Sequence, residues 1–298
     1  MMQTDARATA GTGFYKAHGL GNDYLVFEEG EGWVLTPQAV RSVCDRWRGV
    51  GGDGIVLLLK EDGQGSHRAR MFNPDGSEFE RSGNGLRILG SYLAHRARVD
   101  RSPFVVSVGG DEVVLTVHDR QPPVFDISVD MGRARIGPGA VGLDSAAFGP
   151  EGKIQGPSGE WLDIVPVSVG NPHIVVLTDD PTEERLLQWG PFLSAHPALS
   201  AGANVQIACA TGRRRCRALI WERGVGRTSA SGTSACAVAV AAVSRGIVDV
   251  GAVTVHMEGG ELETVVAPDL RVLLRGPVEE VCEGHLTRGF LAGIQRSV

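Results

Sequence analysis

The chain has 298 residues, 42% of them apolar and 21% charged, and a formal net charge of -6. This length accommodates two domains of ordinary size, and the composition is that of a folded globular protein. The negative balance argues against a nucleic-acid partner, and no stretch approaches the roughly 18 apolar residues of a membrane span.

The N-terminal MMQTDARATAGTG has no apolar core, so a signal peptide is not expected, and residues 1–12 read as a flexible tail. Residues 14–27 hold two short strand-like pieces around His18-Gly-Leu-Gly-Asn22. A helix is expected over 36–48, where Pro37 follows a Thr36 cap. The loop Gly49-Val-Gly-Gly-Asp-Gly54 precedes an apolar run rather than a helix and lacks Gly-Lys-Ser/Thr, so it is not read as a phosphate loop. A strand over 68–73 and a helix over 84–98 follow, with Leu86, Leu89 and Leu93 on one helix face. Segments 104–108, 112–118 and 124–131 alternate like antiparallel strands. The pattern loosens over 132–142, where a domain crossing is placed. Strands are expected at 161–169 and 173–178, a helix at 182–196, and strands at 204–211 and 215–221. A small-residue helix occupies 232–245, and strands at 254–257, 262–267 and 272–276 complete the second half. Residues 280–290 are expected to return to the first domain. The division is therefore 1–132 plus 281–298, and 133–280. Each half is a mostly antiparallel sheet with one long helix, an α+β architecture with internal duplication. The run Arg213–Arg215 reads as a solvated hairpin turn. The five cysteines show no CxxC pair or framework spacing, so reduced thiols and a cytoplasmic setting are expected.

The duplication is sharpest at two loops. Ser231-Gly-Thr-Ser opens the second helix, and Glu222 lies nine residues before Ser231. Ser82-Gly-Asn-Gly opens the first, and Asn73 lies nine residues before Ser82. The first N–H groups of a helix have no intrahelical partner and carry partial positive charge, so such ends accept a carboxylate or phosphate. Two facing ends would grip one anion and place Ser82 and Ser231 on opposite sides of the group attached to it. A single such serine reads as an N-cap; the matched pair favours a shared site. Asn22, Asn171 and Asn204 each sit beside a predicted strand end, as Asn73 and Glu222-Arg223 do, and suit an amino-acid ligand. His173 is either a packed residue or a substrate contact. No HExxH or paired spacing points to a metal.

These residues resemble the diaminopimelate epimerase family of pyridoxal-independent amino-acid epimerases and racemases. The resemblance is carried by HGLGNDY at 18–24, GVGGDG at 49–54 and FNPDGSEFERSGNGLR at 72–87. It continues through VGNPHIV at 169–175, ANVQIA at 203–208, WERGVGRTSASGTSACAVAVA at 221–241, GGELE at 259–263 and RGPVEEVCEG at 275–284. It implies two pseudo-symmetric domains, each a mostly antiparallel sheet wrapped around a central helix. It also implies epimerisation at Cα of a small amino acid, LL-diaminopimelate to meso-diaminopimelate, by a homodimer with no cofactor, metal, nucleic acid or membrane partner. The family's two proton-carrying cysteines correspond to Ser82 and Ser231 here. Its substrate contacts correspond to Asn22, Asn73, Gly83, Asn84, Asn171, Asn204, Glu222, Arg223, Gly232 and Thr233. The chain departs from the family again at Ser234, where Gly is usual, and at Gly54, where many members carry Gln. Because serine is far less acidic than a thiol, two alternatives stand beside epimerisation. One is a dehydratase or isomerase that draws a base from Glu222 or His173; the other is a non-catalytic amino-acid binder.

Overall fold

The structure is a computed structural model and describes residues 8–60, 67–79, 82–149 and 152–296. The chain divides into two compact units, residues 1–129 with 277–298, and residues 130–276.

In the first unit the strands are β1 (Thr9–Gly19), β2 (Asn22–Glu29), β3 (Trp33–Val34), β4 (Ile55–Leu58), β5 (His67–Phe72), β6 (Glu78–Phe79), β7 (Phe104–Val108), β8 (Asp111–Gln121) and β9 (Val124–Arg133), which continues into the second unit from Asp130. Helix α1 (Pro37–Cys44) joins β3 to β4, and α2 (Gly83–His95) joins β6 to β7. The pairing runs antiparallel β1–β2, parallel β2–β4, antiparallel β4–β5, parallel β5–β7, then antiparallel β7–β8 and β8–β9. Helix α2 packs against β1, β2, β4 and β8. Every residue from Gly83 to Ala94 is buried, as a helix enclosed by sheet requires. Close sheet approach is visible at Gly90, where an added Cβ would lie 3.2 Å from Ile127 side-chain carbons. Burying Leu86, Ile88, Leu89 and Leu93 contributes about 1.5–3 kcal/mol each.

The second unit contains β10 (Arg135–Ile136), α3 (Pro138–Val141), β11 (Ile154–Gln155), β12 (Trp161–Leu162), β13 (Ile164–Ser168), β14 (Pro172–Leu177), α4 (Glu183–Ser194), β15 (Asn204–Gly212), β16 (Arg215–Glu222), β17 (Gly226–Thr228), α5 (Gly232–Ser244), β18 (Gly251–Met257) and β19 (Gly260–Val266). β20 (Arg271–His285) pairs through its first residues with β19 and through its last with β1, and α6 (Arg288–Arg296) closes the chain. The order of pairings from β13 through β14, β15, β16, β18 and β19 to β20 repeats that of the first unit, parallel and antiparallel steps alike. Helix α5 takes the place of α2, packed against β13, β14, β15, β16, β18 and β19. Its run of Ala, Val and Cys is buried from Ser234 to Ala242. The two-unit α+β class expected from the sequence is the one observed.

Three local expectations need correction. The tail read at 1–12 is strand from Thr9 on, because Thr9 and Ala10 pair with Val34 and Trp33; residues 1–7 lie outside the described residues. The helix expected at 36–48 stops at Cys44: Asp45 takes an extended conformation, and its carboxylate accepts from the N–H of Trp47 and Arg48 at 2.8 Å. The helix expected to reach 98 stops at His95, because Ala97 adopts left-handed φ +54. There the N–H of Ala97 donates to Ala94 and that of Arg98 to Leu93, satisfying the last carbonyls.

Candidate active-site elements

Each central helix begins after the same device. β5 and β6 form a hairpin in which Met71 faces Phe79 and Phe72 faces Glu78. β16 and β17 form one in which Ile220 faces Thr228 and Trp221 faces Arg227. The registers are equivalent, and each hairpin leads through a serine in extended conformation into a helix of 13 residues. Both serines are partly exposed.

At the first helix start Ser82 is a true N-cap: its Oγ accepts from the N–H of Gly85 at 3.1 Å. Its own N–H contacts Met71 Sδ at 3.3 Å. Asn84, the second residue of the helix, donates through Nδ2 to both the backbone O and Oδ1 of Asn22 at 2.7 Å. Asn84 Oδ1 accepts from Arg87, a buried arginine that also donates to the Pro277 carbonyl. Asn22 in turn donates to Asp53 Oδ2 at 3.0 Å. Behind it Arg46 bridges Asp23 and Asp53 at 2.6 and 2.7 Å, and Lys16 meets Asp23 at 3.0 Å. Burial pushes the Asp23 carboxyl up, but the bonds and charges of Arg46 and Lys16 outweigh it and hold the group below the usual carboxylate range. Thus Asn22, Gly83 and Asn84 are gathered with Ser82 and braced by a charged network.

The glycine-rich loop serves that network. The N–H groups of Val50, Gly51 and Gly52 donate to the Val43 and Cys44 carbonyls, capping α1 and turning Asp53 toward Asn22. Gly54 leaves no room for a side chain. A Cβ there would lie 2.6 Å from the Tyr24 ring and 2.7 Å from the Phe72 carbonyl. Asn73 holds the hairpin turn, donating through Nδ2 to Ser77 Oγ at 3.0 Å.

The second helix start is built from neutral groups. Ser231 has no side-chain cap bond, although its carbonyl accepts from Ala235 as a helix start requires. Asn171 Nδ2 reaches Thr233 Oγ1 at 3.5 Å, and Asn171 Oδ1 lies 2.8 Å from His173 Nε2. His173 Nδ1 lies 3.1 Å from Gln206 Nε2, which also donates to Ser234 Oγ at 2.9 Å. His173 faces Asn204 across the parallel β14–β15 pair. Asn204 Oδ1 accepts the Arg223 N–H, and the Arg223 guanidinium donates to the Ala201 carbonyl at 2.6 Å. Glu222 ends β16 opposite Gly226.

His173 was expected as a possible contact or base. It is fully buried, both ring nitrogens are engaged, and burial drives its pKa down to about 3. It is a neutral packed residue, which removes it as the base of an elimination. The sequence reading overlooked Gln206 as well as the Lys16–Asp23–Arg46–Asp53 network. A polar residue at a buried position of an otherwise apolar strand was the available signal for Gln206; Asp23 and Asp53 stood inside quoted motifs without an assigned role.

The cysteines lie elsewhere. Cys44, Cys216 and Cys236 are buried, Cys209 is half-buried and Cys282 is exposed. Burial pushes the Cys44 thiol up to about 12 and the Cys216 thiol up to about 11. Among the described residues Ser82 Oγ has the Gly85 N–H as its hydrogen-bond partner, and Ser231 Oγ has none. No group of three or more His, Cys, Asp and Glu among them could hold a metal ion, and no helix is long and apolar enough to cross a membrane.

Comparison with known proteins gives a consistent family. The family model described as diaminopimelate epimerase matches residues 14–137 and 165–281. A protein of Nostoc sp. named diaminopimelate epimerase 2 is 34% identical over 288 residues, covering 94% of this chain and 97% of that protein. The diaminopimelate epimerase of Magnetococcus marinus is 36% identical over 284 residues, covering 95% and 99%. Among solved structures, a hydroxyproline epimerase from Agrobacterium vitis superposes with a TM-score of 0.69 at 16% identity, covering 94% of this chain and 93% of that one. That last likeness speaks to the fold.

Proposed function

The chain belongs to the diaminopimelate epimerase family, and from that premise we propose that it inverts Cα of an amino acid without an organic cofactor, converting LL-diaminopimelate to meso-diaminopimelate. Ser82 and Ser231 stand in the two proton-carrier positions. One alkoxide removes the α-proton while the other hydroxyl delivers a proton to the opposite face, so each turnover exchanges the roles of the pair. Gly83, Asn84, Gly232 and Thr233 present helix-start N–H groups to the α-carboxylate, where charge develops as the proton leaves. Asn22, Asn73, Asn171, Asn204, Glu222 and Arg223 supply the remaining polar contacts. The observation that carries the reading is the repeated hairpin–serine–helix unit with equivalent register and equal helix length. The proposal includes a homodimer in the cytoplasm, checked by light scattering of the purified protein.

The cost of using serine is large. A hydroxyl less acidic than a thiol by on the order of four to five units faces roughly 6 kcal/mol more to form the base, and a helix dipole returns about 1–2 kcal/mol at best. Among the described residues no base contacts either hydroxyl. That observation favours a second reading, a non-catalytic binder of the same amino acid. Solvent-deuterium wash-in at Cα of LL-diaminopimelate separates the two. Exchange by the native chain supports epimerisation. Saturable binding without exchange supports the binder, and absence of both binding and exchange removes the substrate assignment.

A further inference from the structure

Five polar side chains of the second unit form a continuous file that leaves the first turn of α5 at Ser234 and returns to it at Thr233: Ser234, Gln206, His173, Asn171 and Thr233. The links are 2.9, 3.1, 2.8 and 3.5 Å in that order. The first three residues are buried, at 1%, 0% and 0% exposure. An amide, an imidazole and a second amide can each be reversed, so such a file admits two directions of hydrogen bonding.

The ends decide between them. In one direction the Gln206 amide nitrogen donates to Ser234 and to His173 Nδ1. His173 then carries its proton on Nε2 and donates to Asn171 Oδ1, and the Asn171 amide nitrogen turns toward Thr233. The group left over is Gln206 Oε1, which is buried with no partner among the described residues. In the other direction Gln206 Oε1 accepts from Ser234 and His173, and both amide N–H bonds are left over in the interior. Orphaned buried N–H donors are rarer in folded proteins than under-satisfied carbonyl oxygens. The first direction therefore wins.

Ser234 enlarges that preference. With a hydroxyl at 234, reversal takes the number of orphaned amide donors from none to two. With no acceptor there, one donor is already orphaned and reversal adds only one more.

We propose that Ser234 is a positioning residue: through Gln206 it fixes the His173 proton on Nε2, and His173 so fixed holds the Asn171 amide N–H groups toward Thr233 at the first turn of α5. The consequence is a neutral histidine that orients a donor and does not exchange protons. The depressed basicity of His173 agrees with this role. The effect on ligand binding rests on the reading above, in which Asn171 and Thr233 touch the amino acid.

The test uses the full chain with histidine labelled by heavy nitrogen at both ring positions. His173 is recognised as a histidine whose ring signals do not titrate between neutral and mildly acidic pH, and its identity is checked by loss of the signal in His173→Gln. The expected native spectrum has a pyridine-type Nδ1 and a pyrrole-type Nε2; the opposite pattern overturns the proposal. In Ser234→Ala, which keeps the helix, the ratio of the two tautomers falls about tenfold, and Ser234→Thr restores it. An unchanged ratio in Ser234→Ala removes Ser234 from the role. Titration with diaminopimelate should show binding weakened about three- to tenfold in Ser234→Ala and recovered in Ser234→Thr. A shifted tautomer with unchanged binding overturns the orienting role. Should diaminopimelate not bind the native chain at all, the substrate assignment fails, and the tautomer spectra still decide the role of Ser234.

Discussion

The two helix starts share one backbone plan and differ in what braces them. Ser82 caps its helix, and the asparagines beside it lean on a network of two carboxylates and two cations. Ser231 leaves its helix uncapped, and Asn171 leans on a buried neutral file. At the third helical position the first start has Gly85, whose N–H bonds the capping serine, whereas the second has Ser234, whose hydroxyl bonds Gln206. The same local geometry is thus held by charge in one unit and by burial in the other. Charge-braced groups weaken when a carboxylate is protonated; buried neutral groups weaken when a proton is forced onto them.

The largest test of this comparison is chemical. Converting both serines by Ser82→Cys and Ser231→Cys should raise α-proton exchange of LL-diaminopimelate by on the order of 10⁴-fold, the rate equivalent of about 6 kcal/mol. Deuterium wash-in measures it, and no gain over the native chain would show that the two positions are not a proton-transfer pair.

Acid stability comes next. His173 is held neutral to a pKa of about 3, whereas the unfolded group titrates near 6.5. The unfolded state therefore binds the proton first. The stability present above about pH 6.5 falls as pH is lowered toward 3, by up to about 1.4 kcal/mol per pH unit. Asp23 acts lower on the scale, since its depressed carboxyl stabilises above the ordinary carboxylate range and loses that contribution as pH falls through its folded value. Urea unfolding as a function of pH should give a slope between pH 6 and 4 that is reduced by about one proton in His173→Gln. An unaltered slope would mean that His173 is not the group responsible.

The caps offer a smaller contrast. Ser82→Ala should cost about 1 kcal/mol, the usual loss of an N-cap, whereas Ser231→Ala, which breaks no cap bond, should change stability by less than about 0.5 kcal/mol. Equal losses would erase the distinction. The smallest effects lie at the far ends of the same helices. Just past the end of α2 lies Ala97 at φ +54, and just past the end of α5 lies Gly246 at φ +67, with matching terminal hydrogen bonds. Ala97→Gly should stabilise by about 0.5–1 kcal/mol and Gly246→Ala should destabilise by about 1 kcal/mol, because left-handed backbone penalises a Cβ. Thermal unfolding of the pair checks both signs.

Much of this plan was legible from residue order. The nine-residue spacings before Ser82 and Ser231 already placed two like turns before two like helices, since hairpin register and helix start depend on neighbours in the chain. The small-residue run at 232–245 marked a helix for the same reason, and the structure buries it from Ser234 to Ala242. Ala97 and Asp45 were harder. Nothing local forbade the helix from continuing past either residue, and each stop was set by turn bonds that satisfy carbonyls or N–H groups.

Sequence by itself determined the duplication, the family and the serine pair, because these are written in spacing and residue type. Tertiary structure decided what each polar residue serves. His173 and Glu222 both belong to family motifs, yet only burial and the partners Asn171 and Gln206 show that His173 is a neutral brace. Gly54 is small because Tyr24 and the Phe72 carbonyl fill the space beside it, a crowding between residues 18 to 30 positions apart that no local pattern encodes. The physical reason is the same throughout. Backbone propensity acts between near neighbours, whereas desolvation and hydrogen-bond satisfaction depend on what the fold brings alongside.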